Sequence, residues 1–95
     1  MPCERVECLE LCKEDSTLTL KAECDAYLVK LDGEYYVTAT VPGNKVVRMK
    51  TKETLLERKQ LKAGESLKFN MEVEPVGAHV IAMFGERLVE REILF

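Results

Sequence analysis

The chain has 95 residues, 46% of them hydrophobic and 33% charged, and a formal charge of −3. That profile belongs to a compact globular protein and excludes a disordered chain. Lysines and glutamates are interspersed without a basic block, so nothing attracts a phosphate backbone and nucleic acid is excluded as an expected partner.

The first segment, MPCERVECLELCKEDS, carries Cys3, Cys8 and Cys12, and reads as a first strand or a turn of helix. From Ser16 to Cys24, Leu18, Leu20, Ala22 and Cys24 alternate with Thr17, Thr19, Lys21 and Glu23, the period of a strand with one apolar face. Cys24 is therefore expected to point inward. YLVKL and EYYVTATV flank Asp32-Gly33, a pair suited to the positive φ angles of a two-residue hairpin turn, so the two arms are expected to pair. The second arm places Tyr35, Val37, Ala39 and Val41 on one face and stops at Pro42-Gly43-Asn44, a turn signal. KVVRMKT starts the next strand.

Residues 52–61 are rich in helix formers, and Thr54 stands three residues before Glu57, as in a capping box. A short helix or turn fits this segment as well as a strand does. In LKFNMEV, Leu67, Phe69, Met71 and Val73 alternate with polar residues, which predicts a half-buried antiparallel strand. GAHVIAMF, from Gly77 to Phe84, is apolar on both faces and predicts a central strand. Gly85-Glu86 then turns it into RLVEREILF, a closing hairpin.

Seven or eight short strands at close spacing, with turn signals between them, predict an all-β fold in a single domain over residues 1–95, an antiparallel sandwich. The stretch LKAGESLKFNMEVEPVGAHVIAMFGE resembles the closing part of an immunoglobulin-like sandwich of the CARDB type. Leu61, Gly64, Leu67, Phe69, Val73, Gly77 and Val80 carry the resemblance. It implies a binding or adhesion module without catalytic residues of its own.

Cys3, Cys8, Cys12 and Cys24 are the only cysteines. Structural zinc sites usually present cysteines in knuckles of two to four intervening residues; the intervals Cys3–Cys8 and Cys8–Cys12 fall in that range, but there is no C-x-x-C and no second paired knuckle, since Cys24 stands alone after eleven intervening residues. A metal site built from all four is one reading, and packed reduced thiols are another. A disulfide from Cys8 or Cys12 to Cys24 is the favoured reading, because closing a loop of roughly fifteen residues would stabilise by about 3 kcal/mol. Glutamate outnumbers aspartate, and Gln60, Asn44 and Asn70 are the only amides, a balance that leans toward a thermophilic source. Intracellular disulfides are found in such organisms.

His79 is the only histidine, so a Cys–His nucleophilic pair would need it beside Cys24 or an N-terminal cysteine. A histidine on a strand face is the plainer reading. Glu86, Glu90 and Glu92 with Arg87 and Arg91 read as alternating charges on an exposed strand, and not as an acid–base pair. Tyr35 and Tyr36 point to opposite faces of one strand, which leaves Tyr36 as an interface candidate beside Ile93, Leu94 and Phe95.

No G-x-S-x-G, H-E-x-x-H, phosphate-binding glycine loop or redox C-x-x-C is present, and neither an enzyme nor a cofactor is expected. No apolar run reaches bilayer-spanning length, and Met1-Pro2-Cys3-Glu4 lacks the start of a secretory signal. The expectation is a cytoplasmic protein-binding or structural module, with a homodimer through the last strand as one form of it. The competing class is a small metal- or redox-responsive protein using the N-terminal cysteines.

Overall fold

The computed structural model describes residues 2–29, 37–43, 45–49 and 58–95, with the backbone alone at 45–49, 58 and 59. Every regular element among the described residues is a β-strand: β1 (Cys3–Val6), β2 (Leu9–Glu14), β3 (Thr17–Ala22), β4 (Ala26–Val29), β5 (Val37–Val41), β6 (Lys45–Met49), β7 (Arg58–Leu61), β8 (Ser66–Asn70), β9 (Gly77–Phe84) and β10 (Arg87–Leu94). They form two antiparallel sheets, one ordered β1-β2-β3-β8 and one of six strands around β9. The fold is an all-β sandwich.

Alternation decides which residues meet between the sheets. Leu9 and Leu11 of β2, Leu18 and Leu20 of β3, Leu28 of β4 and Val80 of β9 are all at most 1% exposed and share one core. Two-residue turns join β1 to β2, β2 to β3 and β9 to β10, since Val6 pairs with Leu9, Glu14 with Thr17 and Phe84 with Arg87. Each turn opens on a positive φ, at Glu7, Asp15 and Gly85, the backbone hand that matches strand twist. Only Gly85 adopts it without a side-chain penalty.

The register of β9 explains the six-stranded sheet. On one edge β9 carries β10 along its full length, from Leu94 opposite Gly77 to Arg87 opposite Phe84. Its other edge is shared: Tyr27 and Leu28 pair with Met83 and Ala82, while Val37 to Thr40 pair with Val80 to Gly77. So β4 and β5 lie one after the other in the same row. Beyond them β7 pairs with β4 and β6 pairs with β5, and the six strands occupy four rows. The central position expected for Gly77 to Phe84 is the one observed.

Several expectations change. The segments on either side of Asp32-Gly33 do not pair with each other where they are described; both run along β9, whose eight residues offer enough edge for the two short strands. Asp32-Gly33 itself lies outside the described residues. Of the segment 52–61, the described part, Arg58–Leu61, is strand β7, because pairing with β4 outweighs its helical propensity. CERVECLELC is a hairpin, not one strand or a turn of helix. The strand expected through Val73 stops at Asn70, and Val73 is 51% exposed, because the chain leaves the ladder after the bond from Met71 N to Ser16 O to cross toward β9.

Candidate functional site

The outward face of the β9 sheet carries the most exposed apolar surface that its strands align. Facing alternates along β9, so Ala78, Val80 and Ala82 are buried while His79, Ile81 and Met83 look outward. Met83 stands opposite Tyr27 on one side and opposite Leu88 on the other, an apolar row across three strands. Tyr27 is 39% exposed and Leu88 61%. The Gly85-Glu86 turn sets this alignment, since a two-residue turn with Phe84 opposite Arg87 necessarily brings Leu88 to Met83.

The rim of the row is acidic. Glu86, Glu90 and Glu92 are exposed, Glu90 lies opposite Ile81 and Glu92 opposite His79. His79 Nε2 is buried, has no hydrogen-bond partner and lies 3.6 Å from a Glu90 oxygen. Arg87 and Arg91 belong to the other facing of β10, and Arg87 pairs with Glu7 of the β1–β2 turn. That pairing, through hydrogen bond and charge, holds the Glu7 carboxyl below its ordinary range. The guanidinium of Arg5 chelates Glu23 with two bonds of 2.8 Å, which lowers the Glu23 carboxyl in the same way.

The cysteines sit on the other sheet. Cys3 and Cys12 are cross-strand partners, their Cα atoms 4.0 Å apart, and are joined by a disulfide. Cys8, in the β1–β2 turn, is joined to Cys24, just past the end of β3, with Cα atoms 5.8 Å apart. All four cysteines are therefore oxidised. Cys8 takes Cys24, one of the two pairings the sequence favours, and Cys12 takes Cys3, a pairing the spacing does not suggest because Glu7-Cys8 carries no residue that signals a turn. The four sulfurs do not gather into one metal site, and no thiol is available to act with His79, which lies on the opposite sheet.

Among the interface candidates, Ile93 is 6% exposed and belongs to the core, where the pairing of β10 with β9 turns it inward. Phe95 packs partly against the core and donates its N–H to Val76 O at 3.0 Å, and the Lys13 ammonium lies 5.9 Å from its ring. Leu94 is 80% exposed, and Tyr36 lies outside the described residues. A recess of about 350 Å³ beside Pro2, Lys13, Glu14, Asp15 and Glu74 carries no ready chemistry, since its one lysine is paired with Glu74 at 2.8 Å. The row Tyr27–Met83–Leu88 was missed in the sequence, although counting outward from the Gly85-Glu86 turn would have placed Leu88 against Met83.

No family model matches the chain, and neither a curated protein nor a solved structure matches it. No helix among the described residues is long and apolar enough to cross a membrane.

Proposed function

We propose that the protein is a non-catalytic binding module whose outer β9 face receives another protein. The supporting observation is the aligned row Tyr27–Met83–Leu88, an apolar strip bordered by Glu86 and Glu90. Apolar centres with polar rims are the usual anatomy of a recognition surface. The carboxylate rim favours a partner that presents apolar residues flanked by lysine or arginine. A second copy is the weaker occupant. Two such faces would bring carboxylates together, and antiparallel self-pairing of β10 about Glu90 or Glu92 sets each glutamate against itself, a pattern that discourages edge association. An immunoglobulin-like module of the CARDB type is compatible with this reading. Two disulfides favour an oxidising compartment over the cytoplasm of a mesophile, and a hyperthermophile's cytoplasm would also keep them.

Amide shifts in two-dimensional NMR test the proposal, with a short peptide of alternating leucine and lysine as probe and its leucine–glutamate counterpart as control. Saturable shifts at Tyr27, Met83 and Leu88 with the lysine peptide alone are expected, and Leu88→Ser should abolish them without altering the fold. Shifts located elsewhere, or equal shifts with both peptides, overturn the reading. Shifts on this face that depend on protein concentration alone would assign it to a second copy instead.

A further inference from the structure

The two disulfides hold different things. Cys8–Cys24 ties the β1–β2 turn to the crossing between sheets, whereas Cys3–Cys12 joins residues that the strand ladder already sets opposite one another. With Cys3–Cys12 open, much else still keeps β1 on β2. Lys13 N donates to Pro2 O at 2.9 Å, Val6 is buried in the core, and Arg5 holds Glu23. The two sulfurs would remain neighbours on the outer face of the sheet.

A third donor is already beside them. Glu10 lies two residues before Cys12 on the same face of β2, and its Oε1 is 3.5 Å from Cys12 Sγ. A disulfide sulfur has no proton to share with a carboxylate, so hydrogen bonding does not account for this approach. One donor atom each from Cys3, Glu10 and Cys12 lies within 4.8 Å of the others. In a tetrahedral zinc site the sulfur–oxygen edge is about 3.5 Å and the sulfur–sulfur edge about 3.8 Å, given bonds of about 2.3 Å to sulfur and about 2.0 Å to oxygen. The Cys12–Glu10 spacing matches the first edge as it stands. Breaking the sulfur–sulfur bond lets the sulfurs separate to van der Waals distance, close to the second.

We propose that the reduced β1–β2 hairpin is a binding site for a soft divalent cation such as Zn²⁺, with Cys3 and Cys12 as thiolate ligands, Glu10 as the carboxylate ligand and a fourth position open to water. Thiolates select such ions over Mg²⁺ or Ca²⁺. Oxidation state gates the site. A dithiol reductant supplies two electrons and two protons, becoming a disulfide itself, and leaves Cys3 and Cys12 as thiols; the incoming cation then displaces the two thiol protons to solvent. The Arg5 guanidinium, 3.7 Å from Glu10, competes only weakly because Glu23 chelates it more closely.

The test uses the whole chain, reduced by a tertiary phosphine, which takes oxygen from water as it becomes the phosphine oxide and adds no competing thiol. Cd²⁺ alone is the probe, followed by its thiolate charge-transfer absorbance and by native mass spectrometry. One-to-one binding is expected in the reduced protein and none in the oxidised protein. The Cys3→Ser/Cys12→Ser variant should lose the site, and Glu10→Gln should weaken it by roughly tenfold or more. Alkylation of the reduced wild type gives a readout that needs no variant to fold: Cd²⁺ should protect Cys3 and Cys12 while Cys8 and Cys24 still react. Protection of Cys8 and Cys24 instead, or no Cd²⁺ uptake by reduced protein that keeps its strand spectrum, overturns the proposal. Unchanged affinity in Glu10→Gln removes the carboxylate from the ligand set.

Discussion

Replacing Cys8 and Cys24 together by alanine should destabilise the sandwich by about 3 kcal/mol, the loop-closure term for a cross-link spanning 16 residues. The link joins the β1–β2 turn to the chain just past β3, where Glu23 N also donates to Cys8 O at 2.9 Å, so the unfolded chain gains freedom that the folded one never had. At 4–8 °C per kcal/mol for a domain of this size, the melting temperature should fall by roughly 12–24 °C. Guanidinium unfolding followed by far-ultraviolet circular dichroism, without reductant, checks it. The midpoint should drop and the slope should rise, because an unfolded state freed of one cross-link exposes more surface. Removing Cys3–Cys12, which spans 9 residues, should cost slightly less, about 2.5 kcal/mol. The two losses should not add, since the linked loops overlap in sequence. A Cys8→Ala/Cys24→Ala protein with an unchanged midpoint would refute this reasoning and show that the bridge does not constrain the unfolded chain.

Gly77→Ala should destabilise by about 1–3 kcal/mol, because the added Cβ would lie 2.5 Å from the Ile93 carbonyl oxygen and must push β10 off the start of β9; a wild-type melting temperature would contradict this. Acid should weaken the contribution of the two arginine–glutamate pairs. The folded-state pKa values of Glu7 and Glu23 lie below the ordinary 4.5, so the stability they confer is present above that pH and lost as pH falls through the depressed values. Arg5→Gln with Arg87→Gln should therefore melt below the wild type at about pH 6 and converge with it toward about pH 2.5. A gap that stays constant across that range would sink the assignment. Both pairs are exposed, so the gap should be small and should shrink further with added salt.

Strand faces were legible in the sequence because a period of two is a local property. Leu18, Leu20 and Ala22, then Val37, Ala39 and Val41, then Ala78, Val80 and Ala82 all point into the core as their alternation requires. The turns at Pro42-Gly43 and Gly85-Glu86 were legible for a similar reason, since their residue types suit the backbone geometry there. Which strand pairs with which is a different matter. A half-buried strand satisfies its alternation beside any partner of matching face, so nothing local could place β4 and β5 in one row along β9, or turn Arg58–Leu61 from helix former into strand.

The cysteines and the exposed apolar row mark the same boundary. Spacing alone could narrow Cys24's partner to Cys8 or Cys12, but only the two-residue turn at Glu7-Cys8, which contains no glycine, asparagine or proline to announce it, puts Cys3 opposite Cys12 and leaves Cys8 for Cys24. Tyr27, Met83 and Leu88 likewise come from segments more than fifty residues apart at the extremes and become one surface only through the register of β4, β9 and β10. The sequence by itself determined composition, strand faces and the all-β class, all of which depend on near neighbours. Tertiary structure alone decided the pairing of strands, of sulfurs and of exposed side chains, because each is a contact between residues whose separation along the chain carries no distance in space.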